Sequence, residues 1–265
     1  MKEHTFVICA YKESQYLEAC IKSLKKQTLT SNIIIVTSTP NQFITDMADK
    51  YQLPYYVNTG EGGITQDWNF GYKCAKEKFK SKYITIVHQD DIYEKNYLSA
   101  MYMYINKSKK PLIFFGDYYE IRDGRKISRN KLLMIKRIML LPLRIHLFQK
   151  SRWIRRRILS FGSPICCPSV TFAVNNLPKV IFENNYRACE DWEAWEKISK
   201  LKGEFLYMPK MLMGHRIHSE SETTAAIGDN KRTKEEYEMF CKFWPKPIAK
   251  AILKQYSKGQ KFNQL

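Results

Sequence analysis

The first third of the chain alternates short apolar runs with stretches of helical periodicity, and this alternation restricts the fold more than any other feature. Three runs are apolar enough to predict buried strands: Thr5–Cys9, Asn32–Val36 and Tyr83–His88. Between the first two, apolar side chains recur at the spacing of one helix face: Leu17, Cys20, Ile21 and Leu24. Strands that alternate with helices form βαβ units around a parallel sheet. We therefore expect an α/β fold whose ligands bind beyond the carboxyl ends of the strands.

Beyond residue 200 the sequence predicts two separate strands followed by helices. The strands are Glu204–Met208 and Leu212–His218, separated by a short polar interruption. The helices span residues 229–257 and are broken at Pro245 and Pro247, because proline cannot continue a helix.

The positive charge of the chain is concentrated in one segment. Lys and Arg number 44 against 26 Asp and Glu, a net charge of +18 for 265 residues. The 36 residues from Arg122 to Arg157 contain 13 basic residues and one acidic residue, Asp123, so they carry +12 of this surplus. Such a segment favours polyanions, that is phosphates, nucleic acid or an anionic membrane surface. No base-reading motif or aromatic platform accompanies it, so we expect no nucleic-acid partner.

The cysteines and the apolar stretches restrict the compartment. Seven cysteines without a CxxC spacing indicate a reduced, cytosolic protein and not a disulfide framework. The longest uncharged apolar stretch, Ile138–Leu143, is far shorter than the ~20 residues of a spanning helix. The run Phe6–Ala10 is too short for a secretory signal. We expect a soluble or peripheral protein.

Three short motifs carry the side chains suited to chemistry. His88–Asp91 follows a buried strand, where paired carboxylates hold Mg²⁺ or Mn²⁺ or simply cap the next helix. Glu190–Glu193 opens a helix, where an acidic residue is a general base or only complements the helix dipole. In the third motif, His215–His218, strand alternation places Arg216 and His218 on one face.

In this order the motifs resemble those of the inverting family 2 glycosyltransferases, nucleotide-sugar-dependent enzymes of the GT-A fold. The resemblance covers about Thr5 to Thr224. Its segments are the Ala10–Glu13 turn, Asp67–Gly71 in place of the family's usual Arg-Asn-x-Gly helix, the acidic motif His88–Asp91, the Glu190-Asp191 pair, and Arg216–Ser219, with His215 where tyrosine is common.

The resemblance implies a Rossmann-like, mixed and mostly parallel sheet flanked by helices, and it implies roles for the acidic residues. Asp91 would hold a divalent metal, Mg²⁺ or Mn²⁺, with His218 as a further ligand. Asp90 would orient the donor or support the metal. Asp191 would be the catalytic base that takes the proton of the acceptor hydroxyl. Glu190 and Trp192 would lie on the acceptor side.

Donor binding is the remaining implied role, and here the sequence departs from the family. The expected donor-binding residues are Ala10, Tyr11, Glu13, Thr37, Ser38, Asp67, Asn69, Asp90 and Arg216. The second strand ends in Val36–Pro40, without the aspartate that contacts the nucleobase in the family. The hydroxyls of Thr37 and Ser38 can still hydrogen-bond a base edge, so the departure leaves the base open.

The basic segment, extended to residues 122–161, predicts amphipathic helices. Lys131–Leu141 is apolar with a basic edge, and Pro142 is suited to start a new helix. In Leu143–Phe161 large apolar residues recur at helical spacing beside arginines. Cationic helices of this kind suit a membrane interface. Alternatively, the apolar stripe packs on the sheet and the charges are solvated.

Together these features predict a GT-A domain over residues 1–224, including the basic insert 122–161, and a helical extension over residues 225–265. The expected function is transfer of a sugar, with inversion, from a nucleotide diphosphate sugar to a hydroxyl. By analogy with the family, the acceptor is a lipid-linked glycan in the synthesis of capsule, O-antigen or cell-wall glycan. The protein would then be peripheral on the cytoplasmic face of the plasma membrane.

Two alternatives remain at this point. A nucleotidyltransferase of α/β fold would also use metal-binding carboxylates, but it would normally show a glycine- and Arg/Lys-rich loop where Ala10–Ser14 stands. A non-catalytic basic module that binds membrane or nucleic acid would leave Asp90, Asp91 and Asp191 without a shared cleft.

Overall fold

A computed structural model describes residues 2–183, 185–218 and 230–260, with the side chains of residues 230, 231 and 258–260 excluded. Its strands form one mixed sheet in the order β3-β2-β1-β4-β8-β6-β9-β5, with β7 paired to β6. The strands are β1 (His4–Cys9), β2 (Asn32–Thr37), β3 (Tyr55–Val57), β4 (Tyr83–His88), β5 (Ile92–Tyr93), β6 (Pro111–Arg122), β7 (Arg125–Ile127), β8 (Val170–Ala173) and β9 (Glu204–Ile217).

The amino-terminal half of the sheet is parallel, as the alternating pattern predicts. Strands β3, β2, β1 and β4 are parallel neighbours, and β6 runs parallel to β9. The antiparallel pairings belong to β5, β7 and β8. The expected α/β class with a mixed, mostly parallel sheet is confirmed.

Helices cover both faces of this sheet. The amino-terminal ones are α1 (Leu17–Lys25), α2 (Gln42–Tyr51), α3 (Ile64–Lys78) and α4 (Tyr97–Ile105). All four apolar residues of the predicted α1 face are buried. Helix α3 lies close to β1, since a Cβ on Gly71 would be 2.4 Å from Cγ1 of Val7. Glycine at this position therefore fixes the approach of the helix that leads into the cleft.

The prediction of two strands after residue 200 is wrong, because β9 is one strand of 14 residues. Its middle residues, 209–211, are exposed, and the register with β6 shifts between Gly116 and Tyr118. The polar interruption is thus absorbed as an irregularity in the β6–β9 ladder. Pairing continues to Ile217, which delivers the last residues of β9 to the sheet edge where the acidic motif lies.

The basic insert begins with the end of β6 and with β7, and from residue 131 it is helical, as predicted, but divided into short helices. These are α5 (Lys131–Leu140), α6 (His146–Lys150) and α7 (Arg152–Leu159), with a 3₁₀ turn at Leu141–Arg144. Part of the charge is structural. The buried guanidinium of Arg155 donates to the carbonyl oxygens of Leu201 at 2.7 Å and Gly203 at 2.6 Å.

The helices α8 (Glu190–Ser199), α9 (Asn230–Cys241) and α10 (Lys246–Gln260) complete the core. Met239, Phe240 and Ala249 are fully buried, and the Phe240 ring meets that of Trp192 at 5.0 Å between centroids. The two carboxy-terminal helices therefore share the core of the sheet. The predicted boundary between residues 224 and 225, Ser219, and the end of the resemblance at Thr224 lie outside the described residues.

Within the described residues, no helix combines the length and the apolar character that crossing a bilayer requires. All seven cysteines are free thiols.

Candidate active site

A cleft of about 2130 Å³ opens at the carboxyl ends of β1, β2 and β4. Its walls come from the turn after β1, the start of α3, the end of β4, helix α5, the start of α8 and the end of β9. The site lies where a parallel sheet is expected to bind its ligand. Most of the residues predicted for the site line this cleft: Ala10, Tyr11, Glu13, Ser38, Asp67, Asp90, Glu190, Asp191, Trp192 and His218.

The acidic motif forms a cluster at the end of β4. Ligand atoms of His88, Asp90 and Asp91 lie within 4.8 Å of one another, a spacing that suits a metal ion. The carboxylate of Asp90 faces the cleft and meets Nε2 of His218 at 2.9 Å. Arg216 and His218 both contact Asp90, but of the two His218 lines the cleft and Arg216 does not.

Asp91 belongs to the same cluster but is fully buried. Its side chain is 0% exposed, against 16% for Asp90. One oxygen, Oδ1, accepts a hydrogen bond from the backbone N–H of Arg216 at 2.9 Å and lies 3.0 Å from Nδ1 of His215. Through these contacts Asp91 connects the end of β9 to the end of β4. It does not line the cleft.

Two of the carboxylates that line the cleft, those of Asp90 and Asp191, have opposite electrostatic surroundings. Burial would raise the pKa of Asp90, but the positive fields of His88 and His215 and the hydrogen bond of His218 lower it overall. Burial raises the pKa of Asp191, with partial opposition from Lys136. A lowered pKa suits a group that stays ionised, and a raised pKa suits one that accepts a proton.

Asp191 stands in the first turn of α8 with its neighbours packed around it. The backbone N–H of Trp192 donates to its Oδ1 at 2.5 Å, which fixes the carboxylate against the helix. The indole N–H of Trp192 donates to the carbonyl of Leu159 at 3.0 Å. Glu190 is buried and lines the same wall. The helix start therefore presents Asp191 from a rigid support.

The turn after β2 carries a carboxylate from another element. The hydroxyl of Ser38 donates to Oδ2 of Asp67 at 2.7 Å, and the amide of Asn58 donates to Oδ1 at 2.8 Å. Asp67 comes from α3, and it lies beside the strand end where the sequence lacks an aspartate. The cleft therefore has a carboxylate beside the end of β2, although it comes from Asp67 of α3 and not from β2 itself.

Four of the predicted residues lie behind the cleft surface. Besides Asp91, Thr37 is fully buried, and its hydroxyl accepts from the N–H of Thr39 at 3.0 Å. The amide of Asn69 donates to the carbonyl of Phe182 at 2.7 Å, so it ties α3 to a distant segment. The guanidinium of Arg216 donates to the backbone oxygen of Asp90 at 2.9 Å.

Other residues line the cleft without having been predicted for it. The ammonium of Lys136, on α5, donates to the Tyr118 hydroxyl at 3.0 Å. Arg232 and Glu236, on α9, pair at 2.9 Å. The helical pattern of α5 and α9 is visible in the sequence, but nothing in it indicates that they face the cleft.

Comparison with known sequences identifies relatives. The pattern of glycosyl transferase family 2 matches residues 5–171. An uncharacterized glycosyltransferase of Haemophilus influenzae is 24% identical over 240 residues, which cover 86% of this chain and 69% of the relative. Glycosyltransferase GlyG of Streptococcus pneumoniae is 27% identical over 124 residues, covering 44% of this chain and 40% of GlyG.

Comparison with solved structures shows the same architecture. S. aureus TarS 1-349 in complex with UDP-GlcNAc superposes with a TM-score of 0.64 at 15% identity, covering 96% of this chain and 70% of that one. The mannosyltransferase PcManGT from Pyrobaculum calidifontis, in complex with GDP-Man and Mn²⁺, gives 0.63 at 12% identity, covering 96% and 69%. At these identities the likeness shows a shared fold, which is GT-A.

Proposed function

The chain belongs to glycosyl transferase family 2, and from this membership we propose that it transfers a sugar, with inversion, from a nucleotide diphosphate sugar to an acceptor hydroxyl. The observation that carries the proposal is that Asp90, paired with His218, and Asp191 line a single cleft. Asp90 with His218 is suited to hold a cation beside the leaving diphosphate. Asp191 is suited to accept the proton of the acceptor hydroxyl. The nucleotidyltransferase and the non-catalytic module lose their support, because the family is one of glycosyltransferases and the carboxylates share a cleft.

We assign the cleft-facing cation ligands to Asp90 and His218, with His88 beside them. Carboxylate oxygen and imidazole nitrogen suit Mn²⁺, and Mg²⁺ accepts the carboxylate. Asp91, which the motif alone suggests as the ligand, supports this cluster from behind through His215 and Arg216. When bound, the cation would supply positive charge to the diphosphate as it departs.

Asp191 is the proposed general base. It would accept the proton of the acceptor hydroxyl while that oxygen bonds to C1 of the sugar and the bond from C1 to the diphosphate breaks. A single displacement of this kind inverts the configuration at C1. The raised pKa of Asp191, caused by burial, supports the assignment because it makes the carboxylate a stronger base. Glu190 and Trp192 would shape the acceptor side of this wall.

The nucleotide is proposed to lie between the turn after β1 and the start of α3. Ala10, Tyr11 and Glu13 line one side, and Ser38 with Asp67 lines the other. Thr37, Asn69 and Arg216 would hold these segments in place from behind. The complexes of TarS with UDP-GlcNAc and of PcManGT with GDP-Man and Mn²⁺ support a nucleotide-sugar donor and a divalent cation for this chain as well.

We propose a lipid-linked glycan as the acceptor and the inner face of the plasma membrane as the place of reaction, within the synthesis of a surface polysaccharide. Support comes from the basic insert, where Ile138, Leu147 and Trp153 are 59%, 69% and 65% exposed. Large apolar side chains surrounded by Lys and Arg suit an interface with anionic lipid.

The function is tested by thermal unfolding in the presence of nucleotide sugars, with and without Mn²⁺ or Mg²⁺. A donor that binds the native state raises the melting temperature; at one hundred times Kd it adds about 2.7 kcal/mol to the free energy of unfolding. We expect stabilisation by one class of nucleotide sugar, and its loss when a chelator is added. A panel in which no nucleotide sugar stabilises the protein would contradict the proposal.

A further inference from the structure

We propose that Lys136 binds the diphosphate of the donor and stabilises it as it leaves. The inference rests on the proposed function, because it takes the cleft to be the donor site. It assigns a catalytic cation to the basic insert, a segment that the sequence connects only with polyanion or membrane binding. Thus one lysine of the insert acts inside the cleft while other residues of the insert face outward.

The position of Lys136 supports this role. Its side chain is half-buried in the cleft wall, and its ammonium donates to the hydroxyl of Tyr118 at 3.0 Å. The Tyr118 ring lies 6.2 Å from the ring of His215, and His215 in turn contacts Asp91 at 3.0 Å. Lys136, Tyr118, His215 and Asp90 line the same cleft, so a diphosphate that shares a cation with Asp90 would lie in the cleft that Lys136 lines.

The charge of Lys136 is available to a ligand. Its hydrogen-bond partner is a neutral hydroxyl, and none of the described carboxylates forms an ion pair with it. By contrast, two arginines of the cleft wall are neutralised: Arg122 by Glu120 and Arg232 by Glu236, both at 2.9 Å. A half-buried cation with a neutral partner binds phosphate more strongly than one already paired with a carboxylate.

The other cations near the cleft are less suited to the role. Arg216, which the resemblance implies for donor binding, donates to the backbone oxygen of Asp90 and stacks on the ring of Tyr16 at 4.2 Å. Lys12, Lys131 and Arg187 are exposed, so water screens their charges.

Lys136 also acts on the general base. Its positive field lowers the pKa of Asp191, against the effect of burial. The ammonium is thus close enough to Asp191 to influence the base electrostatically. In the reaction, the electrons of the bond from C1 pass to the diphosphate oxygen, and the acceptor proton passes to Asp191. Lys136 keeps its protons throughout and donates hydrogen bonds to the diphosphate.

The test compares binding of UDP with UMP, and of GDP with GMP, by calorimetry in the presence of Mn²⁺. In Lys136→Met we expect the affinity for the diphosphate to fall about 10- to 100-fold, the range for a lost charge-assisted hydrogen bond. The affinity for the monophosphate should change by less than about threefold, well under the charge-assisted range. Lys136→Arg should recover part of the loss, and Lys107→Met, at an exposed lysine outside the cleft, should match the wild type.

The outcomes separate the lysine from the donor site as a whole. A folded Lys136→Met protein that keeps its diphosphate affinity, or that loses monophosphate affinity equally, overturns the role of Lys136 alone. A wild type that binds neither UDP nor GDP overturns the proposed donor, and the lysine assignment with it. Should Lys136→Met fail to fold, Tyr118→Phe removes the anchoring hydroxyl and keeps the charge. A selective loss of diphosphate affinity in Tyr118→Phe supports the proposal, and an unchanged affinity contradicts it.

Discussion

At the scale of single residues, the cleft separates two carboxylates by their surroundings. Asp90 lies among histidines, which lower its pKa, whereas burial raises the pKa of Asp191. Two carboxylates with pKa values moved apart are suited to different tasks in one reaction. Asp90 is suited to remain charged beside a cation and a diphosphate, and Asp191 is suited to take up a proton.

Replacement of the proposed base should remove transfer without removing donor binding. In Asp191→Asn the amide cannot accept the acceptor proton, so we expect kcat to fall by about 10²–10⁴-fold. The affinity for the nucleotide sugar should remain within about threefold of the wild type, as for a group that contributes little to donor binding. Single-turnover transfer and calorimetry measure the two quantities. A variant that transfers sugar at the wild-type rate would exclude Asp191 as the base.

The same substitution should stabilise the fold at neutral pH. A carboxyl whose pKa is raised by burial contributes stability below the ordinary Asp pKa of about 3.9, and this contribution is lost as the pH rises through the folded pKa. Asp191→Asn removes the buried charge, so its free energy of unfolding should exceed that of the wild type at pH 7. The difference should shrink as the pH is lowered. Urea unfolding at pH 7 and pH 5 checks the sign.

The neighbouring aspartates should respond to substitution in different ways. Asp90→Asn removes a cleft-facing carboxylate, so we expect loss of cation-dependent nucleotide binding. Its lowered pKa means that the charge also stabilises the fold at neutral pH, so we expect a loss of stability as well, smaller than that of Asp91→Ala because Asp90 is partly exposed. Asp91→Ala breaks the buried contact with His215 and the N–H of Arg216, which costs about 3–5 kcal/mol of stability. If Asp90→Asn keeps cation-dependent binding and Asp91→Ala alone loses it, the assignment of the cation to Asp90 is wrong.

The sequence predicts where these carboxylates lie but not which of them faces the cleft. Their position follows from chain direction, because residues that end parallel strands meet at one edge of the sheet. The orientation of Asp91 depends on His215 and Arg216, which are more than 120 residues away along the chain. The place of Lys136 in the cleft is not predictable from the sequence for a related reason. A pattern of charges does not show that one lysine of α5 contacts Tyr118.

At the scale of elements, the basic insert serves several purposes at once. Arg155 caps the carboxyl end of α8, and Arg156 pairs with Glu196 at 2.5 Å. These arginines are structural, although the sequence places them beside the amphipathic stripe. The apolar side chains that remain exposed lie on α5, on α6, at the start of α7 and in the turns beside these helices. Periodicity predicted the helices, but it could not separate the charges that hold the fold from those that face outward.

Membrane binding should therefore depend on the exposed apolar side chains. The combined substitution Ile138→Ser, Leu147→Ser and Trp153→Ser should reduce cosedimentation with anionic vesicles, since it removes the surface that would enter the interface. Met103→Ser, at an exposed methionine on α4, is the matched control and should bind as the wild type does.

The salt dependence of binding distinguishes electrostatic attachment to the membrane from apolar aggregation. Raising salt from 0.1 M to 1 M shortens the Debye length from ~10 Å to ~3 Å, so binding to anionic vesicles should weaken. Wild type that ignores anionic vesicles at low salt would contradict the membrane proposal and leave the glycosyltransferase assignment intact. Arg155 is unsuitable for this test, because its substitution should unfold the end of α8.

At the scale of the whole molecule, the carboxy-terminal helices belong to the fold and to the cleft. Met239 and Phe240 of α9 and Ala249 of α10 are fully buried, and the indole of Trp244 donates to the carbonyl of Ser160 at 2.7 Å. Tyr256, on α10, lines the cleft. The sequence predicts that this segment is helical. Its place in the core depends on contacts with α7 and α8, which no local sequence pattern predicts.

Removal of residues 225–265 should therefore destroy the cooperative fold and not release an independent catalytic domain. The truncated chain would expose Trp192 and the apolar surface around it, which α9 and α10 cover.

A milder version of the same test is Phe240→Ala, for which a fully buried aromatic predicts a loss of about 3–5 kcal/mol. Ile248→Ser, at a residue on α10 that is 46% exposed, serves as the control and should change the free energy of unfolding little. Urea unfolding followed by tryptophan fluorescence should show one transition for the full chain, and Phe240→Ala should move its midpoint without dividing it, because both helices unfold with the sheet. Two separate transitions, or a chain of residues 1–224 that folds and transfers sugar, would show instead that the helices are an appendage.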